Sequence, residues 1–359
     1  MAGQETTSKS SYSMSSGDGP NSYPLNSNFQ RGIVEAAKEP VRKAIQDSLE
    51  LTTISNDTFA IADFGCSIGS NTLIATQNII EAVKHKYHDR PPLEFQVFFN
   101  DLVNNDFNTL FRNLPPSPEF FAAGVPGAFQ NRLFPKASLH IGFSSYALHW
   151  ISKVPEEVVD SNSSAWNKDS IHCTGFSKEV AMAFSAQFRK DMENFLNARA
   201  QELVGGGLLV IAMPGLPEGT PCSQTYYGVI NDIMGYCLLD MVKEGLISEE
   251  KLQSFNLPMY YPPINELEAV LERNADFTIE KIDPSFGSNT WIPTTPSLPK
   301  LVTSLARGIM GEIVKEYFGI EIMDSIFERY HKKLLENLNN YADIVKPLGI
   351  FVILKRKAI

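Results

Sequence analysis

The residues with the clearest chemical meaning lie between Asp63 and Asn71, Asp-Phe-Gly-Cys-Ser-Ile-Gly-Ser-Asn, and at Asn100-Asp101. In the first stretch an acid stands just ahead of Gly65, and Gly69 follows. Glycine serves where φ must be positive or where backbone must approach a ligand closely. The dinucleotide fingerprint needs a third glycine at a fixed offset, and a phosphate loop needs Gly-Lys-Ser/Thr; neither is present. An acid before the first glycine suits a ligand with a positive group, such as an amino-acid ammonium, better than a pyrophosphate. S-adenosylmethionine (SAM) carries that group, and the stretch reads as its seat. On these residues alone, another nucleotide or an ordinary turn between strand and helix stays open. Asp101 closes a second apolar run, where a carboxylate can offer two acceptor oxygens to a vicinal ribose diol. A helix cap or loop acid is the plainer alternative there. The connection between the two acids is longer than the roughly 20-residue spacing of the NAD pattern.

The elements that must position these residues follow from periodicity. Phe59–Ala62 is an apolar run suited to a buried strand, and Leu73, Ile80, Val83 and Tyr87 then fall on one helical face. Strand, glycine turn and helix is how open α/β sheets place ligands at strand carboxyl ends. Ahead of it, Asn26-Ser-Asn-Phe-Gln30 opens a helix running toward Leu49. Residues 94–101 read as a second strand, 104–111 as a short helix, 124–129 as a turn carrying Phe129, and 138–143 as a third strand. Straight after it, Ser144-Ser-Tyr-Ala-Leu-His-Trp150 puts aromatic and polar groups where a pocket is expected. Tyr146 and Trp150 fit a core equally well, and His149 fits a pocket wall. A polar loop over 154–173 precedes a helix over 179–203 with Phe184, Phe188, Met192, Phe195 and Leu196 on one face, and then a strand over 205–213. Beyond that, 226–252 reads as helical with a break at Gly245 and Ser248, 255–263 as a loop, 267–271 as a short helix and 277–282 as a strand. Helices over 298–318 and 322–341 and a closing strand over 350–354 complete the chain. The expectation is one α/β sheet with a largely helical lobe inserted after the strand at Gly207, and a ligand cleft between them.

With 359 residues, 43% hydrophobic and 20% charged, the chain can bury a substantial core in one large or two small domains. Its net charge of −10 repels a phosphate backbone, so no nucleic-acid partner is expected. No apolar run approaches the roughly 18 residues of a membrane span, so no membrane partner is expected. Residues 1–16, polar and rich in Ser and Thr, read as a disordered tail of a cytoplasmic protein. Cys66, Cys173, Cys222 and Cys237 have no metal-ligand spacing and read as reduced thiols.

Taken together these motifs resemble the plant SABATH family of small-molecule methyltransferases. The resemblance rests on Ser22-Tyr23, Asn26-Ser27 and Gln30, then Ile61-Ala-Asp-Phe-Gly-Cys-Ser67, Phe99-Asn-Asp101 and Asn105-Asp-Phe-Asn108. It continues through Gly124-Val-Pro-Gly127, Arg132-Leu-Phe-Pro135, Ser144-Ser-Tyr146 and His149-Trp150. It implies a Rossmann-like class I SAM methyltransferase sheet with an inserted, largely helical substrate-capping lobe. The core would be 17–215 and 275–359, and the lobe 216–274 with parts of 298–345. Tyr23, Cys66, Asn71, Asp101, Leu102, Ala128 and Phe129 would line the SAM site, with Asp63 supporting its amino-acid end. Gln30, Tyr146, His149, Trp150 and Asn231 would face the acceptor. Some members hold a magnesium ion at residues matching Asn167, Phe255 and Asn256. A homodimer is usual. The chain departs from the pattern at Ser70, where proline is common, at Ala128 in place of a serine, at Gln130 in place of a tyrosine, and at Gln253, where the metal pattern often has aspartate.

The implied reaction is transfer of the SAM methyl group to the carboxylate of a small-molecule acid, giving a methyl ester. A carboxylate is ionised at neutral pH and needs no general base, which suits a chain with no evident Ser/His/Asp or Cys/His set. Gln30 and Trp150 are the expected catalytic pair: neutral donors that fix one carboxylate oxygen. An Arg there would over-stabilise the ground state. Asn231 stands where salicylate-type members carry a bulky aromatic, and the segments Phe120–Pro126 and Ala147–Trp150 look closest to the branch acting on iridoid and farnesoic acids, so a larger or more polar acid than salicylate is expected. The other readings are the xanthine N-methylating branch of the family and a non-catalytic SAM-binding protein.

Overall fold

The computed structural model describes residues 13–17, 19, 21–50, 58–89, 91–286, 297–337 and 344–358. In chain order the elements are α1 (Tyr23–Asn26), α2 (Asn28–Ser48), β1 (Thr58–Phe64), α3 (Ser70–Lys86), β2 (Glu94–Asp101), α4 (Phe107–Arg112), β3 (Phe121–Pro126) and β4 (Leu139–Ser145). There follow α5 (Lys178–Glu202), β5 (Leu203–Gly215), α6 (Tyr226–Lys243), α7 (Glu249–Gln253), α8 (Ile264–Arg273), β6 (Phe277–Asp283), α9 (Leu298–Phe318), α10 (Ile320–Glu336) and β7 (Leu348–Arg356).

Seven strands form one sheet in the order β3-β2-β1-β4-β5-β7-β6. β1 to β5 pair in parallel, and β7 runs antiparallel between β5 and β6. Central β1 is apolar from Phe59 to Ala62 because helices cover both its faces. Phe59 and Ile61 pack with α2 and α3, whereas Ala60, Ala62 and Phe64 pack with α5 and α8. The five apolar residues expected on one face of the long helix over 179–203 are all buried in that second layer. A third apolar cluster joins α6, α9 and α10, with Trp150 against it. Helix α8, read from the sequence as part of the lobe, buries Leu267, Val270 and Leu271 in the sheet core instead.

Three local features differ from the expectations. The turn expected over 124–129 begins inside an edge strand: β3 pairs with β2 as far as Asp101 opposite Pro126, and the turn starts at Gly127. The helix expected from Asn26 is broken at Ser27 into α1 and α2. Of the tail expected over 1–16, residues 1–12 lie outside the described residues, as does Tyr341 of the last expected helix. Residues 13–15 are bonded to the body: Ser13 Oγ donates to the Asn104 carbonyl (3.3 Å), and Ser15 N to that of Gly308 (2.9 Å). No helix among the described residues is long and apolar enough to cross a membrane.

Candidate active site

The carboxyl ends of β1, β2 and β4 meet α6 and α9 around a cleft of about 1580 Å³, its mouth included. Its first wall is the turn after β1. Gly65 has φ +85°, and a Cβ on it would stand 2.3 Å from that of Ala147, so only glycine lets the β1 and β4 turns meet. Gly65 N and Cys66 N both donate to the Asn100 carbonyl, at 2.9 and 3.0 Å, which pins this turn to the end of β2. Ser67 follows at φ +53°, a region that L-residues seldom occupy. Its backbone N–H donates to Asp101 Oδ2 at 2.7 Å. Leu102 N–H donates to the other carboxylate oxygen at 2.8 Å. Each oxygen keeps acceptor capacity, since a carboxylate has about four lone-pair sites.

Among the described lining residues Asp101 is the only carboxylate, and there is no Lys or Arg. Burial raises its pKa, against the two backbone hydrogen bonds that lower it. Asp63 lies behind the wall, accepting a hydrogen bond from the Thr72 hydroxyl. Burial pushes its carboxyl up to about 7. Tyr23 of α1 reaches the lining beside both acids, and burial, with their negative charges, raises its phenol.

The opposite half is built from the β4 turn, α2, α6 and α9. Tyr146, at φ +54°, and His149 and Trp150 line it with Gln30, Phe29, Tyr227 and Asn231. Gln30 Oε1, His149 Nδ1 and the Ser67 hydroxyl are buried and have no partner among the described residues. Burial takes the His149 imidazole down to about 3, so it is neutral at working pH. Its ring stacks on Tyr261 at 5.6 Å. Tyr146 hydrogen-bonds Tyr227, and burial pushes its phenol up to about 12. Val302, Leu305, Ala306, Ile309 and Met310 of α9 supply an apolar flank.

The cleft thus brings together Tyr23, Asp101, Leu102, Ala128, Phe129, Gln30, Tyr146, His149, Trp150 and Asn231. Cys66 and Asn71 are not on its lining. Cys66 is buried with its thiol toward the Ser67 carbonyl, and Asn71 Nδ2 braces Ser27. The residues expected to hold magnesium lie elsewhere and do not fit a hard dication, which is usually held through one or two carboxylates. Asn167 Nδ2 donates to Asn256 Oδ1 at 2.7 Å, Phe255 packs on Tyr317 and Phe318, and Gln253 bonds Glu249 on the outside of α7. Among the described residues there is no group of three His, Cys, Asp or Glu arranged to hold a metal. The site residues that sequence reasoning missed include Ser67, Met14, Arg199 and the individual lining residues of α9. Fully buried Arg199 donates to the carbonyls of Phe129 (2.7 Å) and Asn131 (2.9 Å) and pairs with Glu202 at 2.6 Å. A basic residue on a helix otherwise full of core aromatics was the signal for it.

A sheet of this order, with an acid at the end of β2 and a glycine turn after β1, fits a SAM-dependent methyltransferase. A family model described as SAM dependent carboxyl methyltransferase matches residues 9–357. Loganic acid O-methyltransferase of Catharanthus roseus is 47% identical over 361 residues, 98% of this chain and 96% of that protein. Farnesoic acid carboxyl-O-methyltransferase of Arabidopsis thaliana is 43% identical over 349 residues, 96% of this chain and 99% of that one. A solved structure titled "Loganic acid methyltransferase with SAH" superposes with a TM-score of 0.90 at 47% identity, covering 96% of this chain and 99% of that one. The chain belongs to the SAM-dependent carboxyl methyltransferase family, the SABATH methyltransferases. It is an enzyme that transfers the methyl group of SAM to the carboxylate of a small-molecule acid.

Proposed function

We propose that the donor sits over Gly65 and Ser67, with its ribose on Asp101, and that the acceptor lies between Gln30, Trp150 and α9. The observation that carries this reading is the distribution of charge. The lining has one carboxylate, at the donor end, and only neutral donors and apolar surface at the acceptor end. The fit to the donor rests on the spare acceptor sites of Asp101 and on the unpartnered Ser67 hydroxyl. SAM bound there supplies an electrophilic methyl on a sulfonium. Gln30 and Trp150 fix one oxygen of the acceptor carboxylate and leave the other aimed at that methyl. Holding the partners so can remove roughly 7–11 kcal/mol of barrier. Neutral His149 adds no competing cation. The reaction cancels a positive against a negative charge, so a lining that offers the carboxylate no counter-ion does not oppose it. No side chain needs to take a proton.

For the acceptor, the α9 flank and Asn231 favour a larger or more polar acid than salicylate, in keeping with the loganic and farnesoic acid relatives. In the same reading the helices α6, α7, α9 and α10 cap the substrate. The enzyme is cytoplasmic, in keeping with four free buried cysteines, and a homodimer, which light scattering tests. A panel of iridoid, terpenoid and aromatic acids with labelled SAM tests the acceptor. Ester formation on loganic- or farnesoic-type acids is expected. Salicylate as the sole good acceptor would overturn the assignment, and turnover of xanthosine alone would move the enzyme to the N-methylating branch.

A further inference from the structure

Asn167 and Asn256, which do not fit a cation, and the neighbouring His172 are buried, polar and joined to both walls of the acceptor half. Asn167, Asn256 and His172 are 8%, 5% and 2% exposed. Asn167 Nδ2 donates twice, to Asn256 Oδ1 at 2.7 Å and to the His172 carbonyl at 2.9 Å. Leu257 N–H, one residue beyond Asn256, donates to the Ile171 carbonyl at 2.7 Å. The loop 167–172 is thereby fastened to the segment 256–261.

That segment is the backing of the acceptor wall. Ile151 N–H donates to the Pro258 carbonyl at 3.0 Å, and Tyr260 N–H to the His149 carbonyl at 2.9 Å. Trp150 bridges to Met259, and Tyr261 stacks on the His149 ring. A second limb leaves the same loop: His172 Nε2 meets Asp232 Oδ1 at 2.8 Å, and Asp232 follows the lining residue Asn231 on α6. The carboxylate tied into this cluster is therefore engaged by an imidazole. The amide oxygen of Asn256 already accepts from Asn167.

We infer that Asn167, Asn256 and His172 form a metal-free clamp of positioning residues, which sets His149, Trp150 and Asn231 through the 256–261 segment and α6. None of the three touches the cleft. Their effect is on where the acceptor wall stands, and the donor turn is held by separate bonds to Asn100 and Asp101.

The test uses the full-length enzyme. Wild type with magnesium chloride or EDTA should show the same melting temperature, the same hydrogen exchange over 256–261 and the same turnover. Asn167→Ala should raise exchange over 149–151 and 256–261 and leave 58–69 and 94–102 unchanged. With the acceptor that the panel selects, its KM should rise about tenfold, as expected for one lost buried hydrogen-bond donor, with S-adenosylhomocysteine (SAH) affinity within about twofold. Asp232→Ala, which breaks the other limb, should raise exchange at the start of α6 and the acceptor KM in the same way, and it decides the matter if Asn167→Ala does not fold. Magnesium binding to wild type that Asn167→Ala abolishes would overturn the clamp. So would unchanged exchange and KM in either variant, or loss of SAH affinity in step with KM. Exchange and magnesium binding are read without an acceptor, so they stand or fall apart from the acceptor assignment.

Discussion

Replacing Asp63 by Asn probes the donor end most directly. The carboxyl is buried, and burial raises its pKa to about 7, against the lowering effect of the Thr72 hydrogen bond and with a further push from Asp101. From the ordinary 3.8 the rise is about three units, worth roughly 4 kcal/mol at 1.36 kcal/mol per unit. The folded protein without donor holds this proton more tightly than the unfolded chain does. The stabilisation is therefore complete below about pH 4 and is lost as pH rises through about 7. Asp63→Asn has no charge to bury. Its stability relative to wild type should rise across that window by up to about 4 kcal/mol. Denaturant titrations without ligand, from about pH 4 to pH 8, read this difference directly. With the donor's ammonium beside Asp63, as the family resemblance implies, the balance would reverse. SAH should bind wild type with proton release, and its affinity should climb roughly 50- to 100-fold from about pH 5 to pH 8 and then level. In the variant that slope should fall by one proton and the affinity at pH 8 should drop. A variant less stable than wild type at pH 8, or a wild-type SAH affinity that ignores pH, would show that Asp63 is not a buried acid facing the donor.

Two other substitutions separate the halves of the site. Trp150→Ala should lower methyl transfer far more than SAM affinity, measured by calorimetry beside turnover; equal loss of both would make Trp150 a cofactor or scaffold residue. Arg199→Met leaves Glu202 buried without its counter-ion, so stability should fall by about 3–5 kcal/mol in thermal or chemical unfolding. SAH affinity should fall as well, because the Phe129 and Asn131 carbonyls lose their anchor, and restoring charge balance with Glu202→Gln should recover stability but not affinity.

The parallel core was legible because β1 and β5 carry apolar runs, β2 and β4 carry several large apolar residues, and their helices keep one-sided periodicity. The edge strand β3 was not. Gly124 and Pro126 punctuate it like a turn, and Phe121 is 61% exposed, so neither burial nor alternation marked it. An edge tolerates proline because one side of its backbone needs no partner. The acids and Gly65 announced themselves by residue type at strand ends. Cys66 and Asn71 were named by family motif, but burial behind the turn and bracing of Ser27 keep them off the lining. Helix α9 was expected within the capping lobe, but which of its residues face the cleft was not legible. Its cleft-facing residues are ordinary apolar ones, and only the tertiary fold, across some two hundred positions from Asp101, shows what they face.

Helix α9 also has a second attachment. At Gly308 it accepts the Ser15 N–H, and the Ser15 carbonyl in turn accepts the Tyr23 N–H at 3.0 Å. One rod thus lines the half of the cleft proposed for the acceptor and is tethered to Tyr23, expected at the donor end. A bulky acid that shifts the rod tugs Tyr23, and by reciprocity any effect of one substrate on the other's grip returns with equal size.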